Sequence, residues 1–226
     1  MPAIISLIAT VIIYFSAKWC YTRHPKVYLS PLLTTPLLII VLLTIANISY
    51  ESYYVGAKWL NDTLQPATIA FAFPLYKYHT TLKKHASEIF FSVVLGSVIA
   101  IISSSMLVRV LSLNSQLGTS LIPHTITTPI AMEVAKNIGG VPTIAAVFVI
   151  ITGLLGAIIG PTIIKVFHIE NEIARGVLFG TSAHGAGTAK AFEFSGKVGT
   201  ISSLAMIISA IVSAFTIPPL IFLLSF

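Results

Sequence analysis

Gly180-Thr181-Ser182-Ala183-His184-Gly185-Ala186-Gly187-Thr188-Ala189-Lys190-Ala191-Phe192-Glu193 sets a histidine, a lysine, a glutamate, three hydroxyls and three glycines inside a chain that is otherwise strongly apolar. Polar groups are costly in hydrocarbon and mark pathways, relays or sites there. Each glycine also weakens a helix by roughly 1 kcal/mol relative to alanine, which bilayer depth tolerates only where protein or a wet cavity satisfies the loosened backbone. The stretch therefore reads as an interrupted helix lining a path.

The surrounding sequence supports that reading. Of 226 residues, 56% are hydrophobic and only 9% charged, with a mean hydropathy of +0.95. These values lie far outside soluble-domain norms and describe a multi-pass, all-α integral membrane protein of the cell membrane, a single domain over residues 1–226. The first apolar run, Ala3 to Ala17, is followed by Lys18 and not by a small-residue cleavage site, so it is expected to be retained as a helix. Cys20 is the only cysteine, which excludes an internal disulfide and any cysteine-based metal cluster. The net charge of +6 comes from basic residues at the ends of apolar runs, where they set topology, and not from a nucleic-acid-binding patch.

At about 20 apolar residues per crossing, Ile89 to Leu111, Val141 to Phe167 and Val198 to Leu224 are clear spans, and Ala3 to Ala17 and Leu32 to Ile48 are shorter ones. Leu64 to Tyr76, Leu117 to Val134 and Ile173 to Phe194 are interrupted by proline or glycine, giving about eight membrane segments. If all eight cross, Lys18, Arg23 and Lys26, then Lys77, Lys83 and Lys84, then Lys136, then Lys190 and Lys197 share one side, which the basic bias marks as cytoplasmic. A repeat of 60 residues relates Thr68, Thr128 and Thr188, Glu133 and Glu193, and Gly96 and Gly156. One crossing per unit would make the repeats inverted and two would make them parallel; the sequence leaves both open.

Several residues stand out as site candidates. His184, flanked by Gly185 and Gly187 and followed by Thr188, can titrate near neutral pH and relay a proton; its competing role is a packing histidine bonded to a backbone carbonyl. His124 leads through Thr125, Thr127 and Thr128 into a helix start at Pro129, whose free amides favour anions. Glu133 with Lys136, and Glu193 with Lys190 and Lys197, have the spacing of helical ion pairs, with proton coupling the alternative. Pro66 and Thr68 open a segment closed by Pro74 and Tyr76, either a broken helix lining the path or a proline kink. Gly153, Gly156 and Gly160 form a close-packing face, and Tyr50, Tyr53, Tyr54 and Trp59 an interfacial aromatic belt. No zinc spacing, nucleotide loop or oriented catalytic acid is present; neither enzymatic activity, metal nor cofactor is expected.

Thr127 through Val134, Val149 through Ala157, His184 through Glu193, Ser202 through Met206, Pro66-Ala67-Thr68 and Pro74-Leu75-Tyr76 together resemble the LrgB/CidB family. Members of that family have been described as holin-like or antiholin-like proteins that affect murein hydrolase activity and lysis; plastid relatives translocate glycolate and glycerate, and some bacterial ones serve pyruvate uptake. The resemblance implies a transporter of small monocarboxylates, with proton coupling, and a small LrgA/CidA-type membrane partner. The alternative it implies is a lysis regulator acting with that partner. A homo-oligomer is also expected. Two positions depart from the family's pattern: His124 stands where lysine or arginine is usual, turning a fixed charge into a titratable one, and Ser182-Ala183-His184 replaces Ala-Ser-His.

Overall fold

The computed structural model describes residues 3–24, 29–63, 66, 70 and 72–224. Among them there is no strand. The helices are α1 (Ala3–Arg23), α2 (Pro31–Ile45), α3 (Tyr50–Asp62), α4 (Ala72–Lys77), α5 (His79–Lys84), α6 (Ala86–Val110), α7 (Ser115–Leu121), α8 (Thr128–Asn137), α9 (Pro142–Val166), α10 (Glu172–Phe194) and α11 (Gly196–Leu224). Ile4–Arg23, Ala86–Val110, Pro142–Val166 and Gly196–Phe222 are long and apolar enough to cross a membrane, and α2 is a shorter apolar helix. The chain forms two compact units, Met1–Ala72 and Phe73–Phe226. Of Leu64 to Tyr76, residues 64, 65, 67–69 and 71, with Thr68, lie outside the described residues; Pro66 is exposed.

In the first unit α1 packs on α2 and α3. The Thr10 hydroxyl donates to Ser6 O and shares a 2.9 Å hydrogen bond with the Tyr53 hydroxyl. Helix α3 begins at Ser49, whose hydroxyl accepts from Ser52 N, as a cap should. Tyr50 and Tyr54 stack on its surface at 5.6 Å, and Trp59 is exposed, as an aromatic belt requires.

The second unit is built from three long helices, α6, α9 and α11, and two hairpins. In α10 the backbone breaks at His184 (φ 39°, ψ −127°) and the chain turns back on itself. A straight helix would put Glu172 and Ser195 about 34 Å apart at 1.5 Å per residue. Instead the Ser195 hydroxyl donates to Glu172 Oε1 at 2.9 Å, and the Phe179 and Phe194 rings stack at 5.6 Å. Both arms of this hairpin, residues 172–183 and 185–194, therefore end at one membrane face, and the segment re-enters without crossing. Helices α7 and α8 form the other hairpin: the chain beyond α8 returns to α7, where Val141 N donates to the Ser120 hydroxyl at 2.8 Å.

The hairpins enter from opposite faces. Ile89 and Val93 at the start of α6 pack with Ile201 and Ala205 at the start of α11 and with Ile173 and Val177 of the α10 hairpin. Ile101, in the second half of α6, packs with Ile122, Ile126, Ala131 and Val134 of the α7–α8 hairpin and with Ile217 of α11. One long helix plus one re-entrant hairpin makes a single crossing per unit, so the 60-residue repeat is inverted. His124 and His184, one in each hairpin turn, obey the same spacing.

This arrangement corrects the sidedness expected from eight crossings. Lys83, Lys84, Lys165, Arg175, Lys190 and Lys197 gather at the face holding the ends of α10, while Arg109 and Lys136 belong to the opposite one. The positive-inside rule assigns the former to the cytoplasm. With Cys20 replaced by serine, Lys84→Cys and Lys136→Cys are expected to react with an impermeant thiol reagent from opposite sides of the membrane; labelling from the same side would rule out the re-entrant α7–α8 hairpin.

Candidate functional site

The hairpin turns reach the interior because small residues let them. Lipid tails are as apolar as leucine, so helices associate in a membrane through close packing and hydrogen bonds. A Cβ on Gly153 of α9 would lie 2.6 Å from His184 Cε1, and one on Gly156 or Gly160 would collide with Ala183 or Phe179. The expected close-packing face of α9 is thus the seat of the first arm of α10. His184 Nε2 donates to Val149 O at 2.9 Å, which fixes the imidazole against α9 and leaves Nδ1 as the second nitrogen. The carbonyl-bonded role of His184 is therefore realised, in a residue only 7% exposed and held at positive φ. Backbone outliers of this kind cost of order 1–3 kcal/mol and persist where the surroundings over-determine them.

The return arm of α10 is tied to α11 by the buried Thr188 and Ser202 hydroxyls, 2.9 Å apart. Ser97 of α6 and Ser209 of α11 make a second buried pair at 3.0 Å. In the other hairpin, His124 Nδ1 donates to Leu121 O at 3.0 Å and lies 3.4 Å from the Ser104 hydroxyl. The imidazole also lines the cavity between the two turns.

Between the two turns lies a cavity of about 420 Å³ whose polar lining comes from Ser92, His124, Thr125, Thr181 and Ser182. Thr181 Oγ1 is buried there without a hydrogen-bond partner. An orphaned buried hydroxyl costs about 1–3 kcal/mol, so a ligand accepting from it recovers energy that the protein alone does not. Both return arms, α8 and residues 185–194, begin at the turns, so two helix N-termini, each with its partial positive charge, point to the middle of the unit from opposite directions. Thr127 caps α8 by position without a side-chain bond.

The structure thus brings His124 and the Thr181–Ser182 end of the first α10 arm to one cavity, and sets other candidates apart. Thr127 and Thr128 are half-buried beside the turn without lining the cavity. His184, Gly187 and Thr188 are buried behind it, and Gly185 is half-buried. Glu133 and Glu193 are exposed toward opposite faces, away from the turns. Glu193 pairs with Lys190 at 2.5 Å, as its spacing suggests; Glu133 and Lys136 form no ion pair, and Lys197 pairs with Glu172 at 2.9 Å and not with Glu193. The sequence names Thr125 only within the hydroxyl row after His124 and Gly96 only within the repeat, and it does not single out Thr181 or Ser92, for which the only signal was small and hydroxyl residues at helical spacing.

The Glu172–Ser195–Lys197 cluster clasps the base of the α10 hairpin. The hydrogen bonds from Lys197 and Ser195 hold the Glu172 carboxyl below the usual carboxylate range. A depressed pKa stabilises the fold above the unfolded value and loses that contribution as pH falls through the folded one, so the clasp is intact at neutral pH. Being partly exposed, it is worth about 0.2–1 kcal/mol. Glu172→Gln is expected to lower the unfolding temperature slightly at pH 7 and to make no difference in strong acid; an equal effect at both pH values would show that charge is not involved.

The comparisons agree on one group. The LrgB-like family profile matches residues 10–223. YwbG of Bacillus subtilis (strain 168) is 56% identical over 223 residues, covering 99% of this chain and 98% of its own length. YxaC of the same strain is 36% identical over 221 residues, with 98% and 96% covered. The holin-like protein CidB of Staphylococcus aureus (strain N315) is 34% identical over 223 residues, with 99% and 97% covered. No solved structure matches.

Proposed function

Since the chain belongs to the LrgB-like family of multi-pass cell-membrane proteins, we propose that it carries small monocarboxylates of the pyruvate, glycolate or glycerate class across the membrane, with proton coupling and no catalysis. The observation carrying this reading is the cavity between two opposed hairpin turns, lined by the His124 imidazole, Thr125 and Thr181, with the N-termini of the two return arms beside it. A fragment with one negative charge and several acceptor oxygens fits that set: the helix ends favour its charge, and Thr125 and Thr181 supply donors, the Ser182 hydroxyl being given to Leu178 O. Inverted repeats with sites at broken helices near mid-membrane are a recurrent transporter design.

His124 makes anion binding depend on pH. Protonated, it adds a cation whose Nε2–H faces the anion; neutral, it supplies none. Substrate affinity should fall as rising pH takes the proton from His124, and His124→Arg should flatten that profile while retaining binding. An identical profile for variant and wild type would place the carboxylate on helix-end amides and hydroxyls alone. Purified protein in liposomes, loaded with and without a pH gradient and offered labelled pyruvate, glycolate or glycerate, tests transport itself; uptake no greater than in empty liposomes rejects it.

The second reading follows from the name of CidB, a holin-like protein. In it the chain regulates murein hydrolase activity and lysis through a small LrgA/CidA-type membrane partner, or as a homo-oligomer, without moving solute. Cells lacking the gene that show altered lysis, rescued by a variant inactive in uptake, would favour this reading.

A further inference from the structure

Helix α6 lines more than the central cavity. A second cavity of about 390 Å³ is bounded by Glu88, Ser92, Asn171, Val177 and Leu178, and shares Ser92, Val177 and Leu178 with the central one. A third, of about 470 Å³, is bounded by Ser103, Ser104, Leu107, Leu121, Phe148 and Thr152, and shares only His124 with the central one. On α6 the residues met in order are Glu88, Ser92, Gly96, Ala100, Ser103, Ser104 and Leu107, mostly four apart and thus along one side of the helix. From Glu88 to Leu107 that side runs about 28 Å at 1.5 Å per residue. The hydrocarbon core of a bilayer is about 30 Å thick.

We propose that this furrow along α6 is the solute's route and that the His124 side chain is the partition dividing it into two half-paths, one reached from the face of Glu88 and Asn171 and the other from the face of Lys136. The proposal rests on the transport reading above and adds its path and gate. Three observations carry it. The cavities are continuous on the Glu88 side of His124, where they share three residues, and meet across His124 through that residue alone. The partition is hinged: His124 sits in a turn between α7 and α8, held by bonds to Leu121 of its own hairpin and to Ser104 of α6. Directly on the Glu88 side of the partition lies Thr181, whose buried hydroxyl has no hydrogen-bond partner and is a donor for a polar visitor to the furrow. Hydroxyls accompany the route on both sides of His124: Ser92, Thr125, Thr181 and Ser182 in the central cavity, and Ser103, Ser104 and Thr152 in the far one.

The test uses the full-length chain with Cys20→Ser, carrying Ser92→Cys, Ala100→Cys or Ser103→Cys, reconstituted in one orientation and treated with a small, charged, membrane-impermeant thiosulfonate. Leu95→Cys and Ile102→Cys serve as controls, since these exposed residues of the same helix line none of the cavities. Ser92→Cys and Ala100→Cys are expected to react from the Glu88 face only, and Ser103→Cys from the opposite face only. Pyruvate or glycolate should protect Ala100→Cys. Adding His124→Ala should open Ser103→Cys to reagent from the Glu88 face, while His124→Gln, of similar reach, should not. Furrow positions that react no faster than the controls would overturn the route even if uptake is intact, and unchanged sidedness in the His124→Ala variant would overturn the partition. A furrow that labels as expected in vesicles taking up neither acid would uphold the partitioned path and reject those acids as its cargo.

Discussion

Replacing His184 with alanine is expected to abolish monocarboxylate uptake while leaving the protein in the membrane at normal levels. The imidazole does two jobs that alanine cannot. Its Nε2 bond to Val149 O fastens the α10 turn to α9, and interhelical bonds of this kind in membranes average about 0.6 kcal/mol and reach about 1.7. Its ring also fills the space above Gly153. Losing both frees the turn that positions Thr181 and Ser182, without exposing backbone to lipid. His184→Gly separates the imidazole from the backbone, because glycine accepts the positive φ at this residue at no steric cost. His184→Gly is expected to be inactive as well. Normal uptake by either variant would remove the imidazole from the mechanism.

The second large effect is structural and falls at Gly180. A Cβ there would collide with Ser202 O and lie 3.0 Å from Met206 N, both backbone atoms of α11 that cannot swing aside. Gly180→Val must therefore push the α10 hairpin and α11 apart, and overpacking of this kind costs about 1–3 kcal/mol or more. The separation would break the Thr188–Ser202 hydroxyl pair in the same step. The variant should accumulate poorly and unfold at a markedly lower temperature in detergent, whereas Gly185→Ala, with open space around it, should be well tolerated. A stable Gly180→Val protein would mean that α10 and α11 are not packed as described.

How much of this was legible beforehand depended on the kind of signal. Long apolar runs announce themselves, and α6, α9 and α11 fall where hydropathy put them, because a lipid-crossing helix must be apolar all along. The polar stretch around His184 correctly marked an interrupted helix. Re-entry was harder to see: a helix that turns back and one that crosses with a kink have the same composition, and the evidence of return lies in contacts such as Glu172 with Ser195. The 60-residue spacing of Thr128 and Thr188 was visible, but its meaning depended on that return.

Helix α3 went unseen because Tyr50 to Asp62 is too polar for a span, although Ser49 is a good cap. His124 stood out in the sequence by its place before a proline-led helix start, and it lines the cavity. Thr181 was quoted within the decisive stretch but not singled out, since burial without a partner is a property of packing and leaves no pattern in the chain. The shift of Lys197 from Glu193 to Glu172 has the same origin, because helical spacing describes only partners on one helix, whereas the clasp joins two.

Hairpins from opposite faces meet turn to turn around the site. The most direct test of this arrangement is cross-linking of Thr125→Cys to Ser182→Cys with a short bifunctional thiol reagent, in a Cys20→Ser chain in native membranes. Rapid cross-linking within one chain is expected, slowed by pyruvate, glycolate or glycerate. Failure of the pair to cross-link, when each cysteine alone is reactive, would contradict the arrangement.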